Sequence, residues 1–242
     1  MGISNRLKLV ASMVTKGNIV ADVGTDHGYV PIYLLKENIC EFAYAMDINK
    51  GPIERAREHV EQEGLTNQIE LIHCDGMKGL EGKKVDTVVI AGMGGELVCK
   101  ILDESPVIDE IKELILSPHS DIDKVRQNVM EKGFNIVDES MIREFGKYYN
   151  VIKAHRINET EDIDNYSEFD LLYSQILFKK KDKIFGDYLA FKKEKYERLI
   201  DLMNVNNQGE SDRMKELKDE LNMCNKAIEL YNCSKGDMVY EH

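Results

Sequence analysis

Residues 18–28 read NIVADVGTDHG. The first six are mostly apolar and β-branched, the composition of a buried strand, and they run directly into a turn holding Gly24 and Gly28. A helical stretch follows at 30–37. Strand, glycine turn and helix in that order open a βαβ unit, and the chain continues in the same rhythm. Further strands are expected at 42–47, 69–74, 85–90 and 113–117, alternating with helices at 52–63, 94–104 and 122–132. The strands are nearly continuous apolar runs, which implies a parallel sheet covered on both faces. Two more strands, 134–142 and 148–157, flank the turn residues Gly146-Lys147 and read as a hairpin added to the sheet edge.

The pattern changes at 159–164, an acidic stretch without apolar period. Beyond it only helices are expected. A short one covers 164–180. Leu189, Lys192, Tyr196, Leu199 and Met203 then repeat at helical spacing, as do Met214, Leu217, Leu221, Cys224, Ile228 and Tyr231 after the polar turn 204–211. Two such seams joined by a short loop predict an antiparallel, coiled-coil-like hairpin, with Ser211 as N-cap of its second helix. The expected organisation is an α/β Rossmann-like domain at 1–160 and a helical arm at 161–242.

Composition narrows the function. The chain has 242 residues, 43% hydrophobic and 31% charged, with a net charge of −12. Bulk positive charge for coating nucleic acid is absent, and nothing favours an anionic membrane surface. The charge is not uniform, however. Residues 1–21 contain Arg6, Lys8 and Lys16 and no acid, and 179–198 contain eight basic against four acidic side chains. A selective RNA could be met by these patches. No uncharged apolar run is long enough to span a membrane. The five cysteines are scattered without a CxxC, and the start lacks the features of a signal peptide, so a reducing cytoplasmic setting is expected. No spacing of His, Cys, Asp or Glu suggests a metal site, and a monomer is favoured.

The glycine loop gives the ligand class. Gly24 and Gly28 allow close backbone approach, and the helix after them offers unpaired N–H groups. The second strand ends in Asp47, where a carboxylate can accept both hydroxyls of a ribose. The third ends at Asp75-Gly76, placed for a purine exocyclic amine. A pyrophosphate is disfavoured, because Asp22 and Asp26 stand in the loop where phosphates would lie. A nucleoside bearing a sulfonium and an ammonium suits acidic surroundings, and S-adenosylmethionine is such a ligand. Its candidate contacts are Asp22, Gly24, Thr25, Gly28, Asp47 and Ile48, then Asp75 and Gly76, and after the fourth strand Ala91, Gly92, Met93 and Gly94.

At these residues the chain resembles the bacterial tRNA (adenine-22-N1)-methyltransferase family. The resemblance is carried by DVGTDHGYVP (22–31), AMDIN (45–49), DG (75–76), the unusual IAGMGG (90–95) and LSPH (116–119), and spans about the first 157 residues. The tail resembles that family's in kind, not by motif. Ser117 and His119 depart from the residues expected around Pro118. The resemblance implies a class I methyltransferase sheet, S-adenosylmethionine as donor, and transfer to adenine N1 in tRNA. Related enzymes often carry an Asn- or Asp-Pro-Pro-Tyr motif after the fourth strand; here AGMGG offers backbone groups and space instead.

Under that reading, transfer depends on positioning and electrostatics. Asp26 is the candidate to accept a hydrogen bond from the adenine amine, with His27 beside it as a proton acceptor or base contact. Asp26 also has a second reading, as a donor contact or helix cap. The adenine must be extruded to expose N1. Tyr29, Tyr148 and Tyr149 are candidates to stack on it, Pro118 and His119 to line its pocket, and Lys180 and Lys192 to meet tRNA. His59, His73, His155 and His242 are expected to be structural or exposed. Two rivals stay open: a methyltransferase for a small molecule or protein, and a non-catalytic nucleoside-binding module.

Overall fold

The structure, a computed structural model, describes residues 2–158, 166–205 and 211–233. It comprises two compact units, Met1–Tyr166 and Ser167–His242. The boundary expected at 160 falls within 159–165, outside the described residues, as do most of the polar turn 204–211 and His242.

The first unit opens with a helix that the sequence reading did not anticipate, α1 (Asn5–Ser12), capped by the Ser4 hydroxyl accepting the Leu7 N–H. Then follow β1 (Val20–Val23), α2 (Tyr29–Lys36), β2 (Ala43–Asp47), α3 (Lys50–Gln62), β3 (Ile69–His73), β4 (Thr87–Ala91), α4 (Gly95–Asp103), β5 (Glu113–Ser117) and α5 (Ile122–Glu131). The chain ends this unit with β6 (Phe134–Glu144) and β7 (Lys147–Arg156). The seven strands lie in the order β3-β2-β1-β4-β5-β7-β6. The first five are parallel, and β7 pairs antiparallel with both β5 and β6. All residues of β1 and β5 are buried, as continuous apolar strands covered on both faces require.

The hairpin differs from expectation at its turn. Glu144 pairs with Lys147, so the two turn residues are Phe145 and Gly146, both at positive φ (48° and 77°). Gly146-Lys147 drew attention through composition alone, whereas a two-residue loop is set by which pair closes it.

In the second unit the helix expected over 164–180 is two helices, α6 (Glu168–Tyr173) and α7 (Gln175–Lys180). Ser174 between them has φ 51°, which ends the first helix, and its hydroxyl accepts the Leu177 N–H to start the second. α8 (Lys183–Val205) packs against α9 (Asp212–Asn232), which Ser211 caps through the Met214 N–H. Gly186 lies against the Tyr231 ring and the Cys224 thiol meets the Leu189 carbonyl at 3.5 Å, so the two helices run antiparallel. No helix among the described residues is long and apolar enough to cross a membrane.

Candidate active site

β1 sits at the point where the sheet grows in both directions, with β2 on one side and β4 on the other. In an open parallel sheet, the crevice beyond the strand C-termini at such a point receives ligands. The loops after β1, β2, β3, β4 and β5 all open on that edge.

After β1, Gly24 takes φ 82° and Gly28 φ 69°, and α2 begins at Tyr29. A β-carbon on Gly28 would stand 3.4 Å from Ala56 of α3, while one on Gly24 would collide with the Met93 ε-methyl. Both positions therefore need glycine for conformation; at Gly24 the crowding falls on the movable end of the Met93 side chain. Asp22, between Ala45 and Val89 of the neighbouring strands, is 6% exposed. Burial pushes its carboxyl up to about 6; the Thr25 hydroxyl opposes the rise and the Asp47 carboxylate adds to it.

Asp47 ends β2 with Oδ1 accepting the Asn49 N–H at 2.7 Å, a bond that fixes the carboxylate at the strand end. Ile48 beside it is 59% exposed, a large apolar side chain facing outward next to the crevice. Beyond β3, Lys78 donates to Asp75 at 2.6 Å and holds that carboxyl below the usual range. Gly76 follows at φ 56°.

The two candidate catalytic residues differ from the simple picture. Asp26 is 68% exposed and is paired with Arg55 of α3 at 2.6 Å, and its other oxygen lies 3.4 Å from His27 Nε2. The His27 ring stacks on Tyr29 at 5.1 Å and on His59 at 5.4 Å, and Tyr29 and His59 stack at 5.5 Å. His59 Nδ1 lies 2.9 Å from the His27 carbonyl, so the ring donates there. His27 Nδ1 is buried and has no hydrogen-bond partner among the described residues. His59, expected to be merely structural or exposed, belongs to this stack; nothing in its sequence neighbourhood marked it.

On the other side of β1, the loops after β4 and β5 interlock. The Gly92 N–H donates to the Ser117 carbonyl at 3.2 Å, and the His119 N–H to the Met93 carbonyl at 2.8 Å. Gly94 caps α4, and a β-carbon on Gly95 would strike the backbone of Ser120 and Asp121. Pro118 is buried and His119 exposed, while Ser117 Oγ is buried without a partner among the described residues. Ala91 pairs with Ser117.

Arg6 of α1 completes this side. Its Nη2 lies 3.7 Å, and His119 Nε2 3.9 Å, from the point where a Gly92 β-carbon would stand. Its guanidinium lies over the Tyr149 ring at 5.2 Å, and His119 meets the same ring edge-on at 5.5 Å. Arg6 Nη1 is buried and unpartnered among the described residues. Burial, then Arg6 and Lys147, hold the His119 pKa below its ordinary value. Tyr148, the neighbouring candidate, instead lies beneath the Arg143 guanidinium at 5.3 Å.

Lys180 and Lys192 belong to the second unit. Lys180 is exposed at the end of α7. Lys192 has its ammonium among the rings of Tyr173, Tyr188 and Tyr196, at 5.0–5.6 Å from their centroids. Among the described residues, no group of three or more His, Cys, Asp or Glu is arranged to hold a metal ion.

Comparison with known proteins adds four findings. A family model described as a methyltransferase domain matches residues 3–152. The tRNA (adenine(22)-N(1))-methyltransferase of Bacillus subtilis (strain 168) is 29% identical over 233 residues, covering 94% of this chain and 97% of that protein. Among solved structures, M. capricolum TrmK in complex with S-adenosyl-homocysteine aligns with a TM-score of 0.83 at 27% identity, over 95% of this chain and 99% of that one. Streptococcus pneumoniae Sp1610 in complex with S-adenosyl-L-methionine aligns with a TM-score of 0.83 at 30% identity, over 94% and 100%.

Proposed function

The chain belongs to the methyltransferase-domain family, and from that premise we propose that it methylates N1 of adenine 22 in tRNA with S-adenosylmethionine as donor. One observation carries the reading beyond the family. The edge of the sheet sets out the groups a zwitterionic nucleoside calls for: acids on the β1–β3 side, the half-buried Arg6 with a buried Nη1, unpartnered among the described residues, against the β4–β5 loops, and glycines between. The acids alone leave the carboxylate of the donor's methionine end without a cation; Arg6 supplies it.

The residues divide accordingly. Asp47 takes the ribose hydroxyls, with Ile48 against the adenine face and Asp75-Gly76 at its amine. Gly24, Thr25 and Gly28 bring backbone to the ligand, and Asp22 faces its positive charge. Ala91, Gly92, Met93 and Gly94 line the side from which the acceptor approaches. When bound, S-adenosylmethionine supplies a sulfonium-borne methyl group open to in-line displacement by the N1 lone pair.

Asp26 accepts a hydrogen bond from the adenine amine, which raises electron density at N1 and stabilises the cationic product. Arg55 holds that carboxylate in place. His27 and Tyr29, already stacked, offer a face to the base, and Pro118, His119 and Tyr148 border its pocket. Lys180 contributes to a tRNA contact by the second unit; Lys192 does so less directly, because its charge is turned toward tyrosines. A reducing cytoplasm, where tRNA resides, and a monomer without metal complete the proposal.

Incubation with methyl-labelled donor and unmodified tRNA tests it. Label recovered as 1-methyladenosine at position 22 is the expected result. Donor binding without any label in tRNA, across a range of salt, would overturn it.

A further inference from the structure

The hairpin β6–β7 carries a feature with no role in the chemistry above. Its turn is Phe145-Gly146, with both residues at positive φ, the type I′ geometry. The first position of such a turn favours Asn, Asp or Gly, because a larger side chain is strained there. Here it is phenylalanine, 93% exposed. The residue is thus unfavourable twice over, in backbone conformation and in its contact with water, and no internal packing offsets either term.

Its position supplies the explanation. The last pair between β5 and β7 is Leu116 with Ile152. Ser117, which ends β5, falls opposite Val151, so residues 147–150 of β7 stand beyond the end of β5 and carry the turn roughly 13 Å past it. Since β6 runs in the direction of β5, this is the edge on which Gly24, Asp47, Asp75 and Gly92 open.

The tip is also held. Glu144 accepts the Arg6 backbone N–H at 3.3 Å, and the Arg143 guanidinium packs over Tyr148. Exposed Arg143 and Lys147 stand two residues to either side of Phe145 along the hairpin, with the Glu144 carboxylate turned to Arg6. A single exposed ring is too small for a protein interface, but it matches the face of one nucleobase, and basic side chains on the same hairpin suit a phosphate backbone.

We infer that Phe145 is an RNA wedge: it stacks in the gap that opens when the target adenine leaves the helical stack. The inference rests on the tRNA reading above. An adenine whose N1 must be exposed has to be extruded, and an aromatic side chain that fills the space stabilises the opened RNA.

The test uses Phe145→Gly and Phe145→Trp in the full chain. Glycine suits the positive φ, so thermal stability of that variant should be equal or higher. Its kcat/KM for tRNA should fall about tenfold or more, with affinity for S-adenosylhomocysteine unchanged, whereas tryptophan should retain activity. With 2-aminopurine at the target position, the fluorescence rise on binding to wild type should be lost in Phe145→Gly. Wild-type methylation of tRNA with an unimpaired glycine variant overturns the wedge alone. Wild-type protein that leaves tRNA unlabelled overturns the acceptor reading and the wedge with it.

Discussion

Arg55 donates to Asp26 at 2.6 Å, so the carboxylate read as catalytic is shared with a cation from a neighbouring helix. Both partners are largely exposed, and an exposed pair of this kind contributes little to stability. Its use is in orientation: it aims one oxygen of Asp26 at Arg55 while leaving the second toward His27.

Asp26→Asn should accordingly lower kcat by about 10–100-fold while donor affinity stays within about threefold. Arg55→Met should reduce kcat by less than about tenfold, since the carboxylate remains. Steady-state kinetics with tRNA and calorimetric titration of donor measure the two effects. An Asp26→Asn enzyme with full kcat would remove the residue from the mechanism.

Arg6→Met should weaken S-adenosylmethionine by about 10–100-fold, the range for losing a charged hydrogen-bond partner. Methylthioadenosine, which lacks the amino-acid portion, should bind Arg6→Met as it binds wild type. Asp47→Ala should weaken both ligands, because the ribose is common to them. If Arg6→Met left donor affinity intact and raised only the KM for tRNA, the cation would serve an RNA phosphate instead.

Gly24→Ala forces a side chain into a positive-φ position and against Met93. The expected loss is about 2 kcal/mol in urea unfolding. Adding Met93→Ala removes the collision but not the conformational strain, so the double variant should recover about 1 kcal/mol relative to additivity. Strict additivity would mean that the two loops do not press on each other in solution.

The Asp22 carboxyl titrates near about 6 in the fold, against 3.8 as its ordinary value. Between these limits the folded chain keeps a proton that the unfolded chain has released. Stability of the ligand-free protein should therefore fall as pH rises through this interval and stay lower above it, by up to about 3 kcal/mol. Asp22→Asn abolishes the change and should be more stable than wild type near pH 7.5. Donor affinity should move the opposite way in wild type, rising as Asp22 ionises. Urea unfolding of both proteins near pH 4.5 and pH 7.5 decides; parallel behaviour would mean that Asp22 does not titrate in this range.

The sheet was legible because most of the parallel strands are apolar runs closed by a glycine or an acid, as in VADVG and AYAMD. The same local grammar exposed Asp22, Asp47 and Asp75, which need only a strand end to be placed. Arg6, Arg55 and His59 were not legible as parts of a site. They lie on helices whose sequences look like ordinary solvated faces, and only the packing of α1 and α3 brings them to the crevice. Lys192 shows the converse: its place in a basic run suggested an outward charge, while the tyrosines around it turn the ammonium inward. Phe145 was hidden because the turn composition pointed one residue later.

The bond between the Arg6 N–H and Glu144 joins groups 138 residues apart, and Lys153 reaches Thr15 across the same separation. During synthesis these bonds wait for the last hairpin, although α1 also packs on α2 and β7 on β5. A ribosome must release nearly the whole first unit before these two contacts can form, so the N-terminal segment that carries Arg6 is tied down last. A change at the hairpin tip thus reaches the opposite end of the sequence: loosening β6–β7 frees the segment at Arg6 and Thr15 as well.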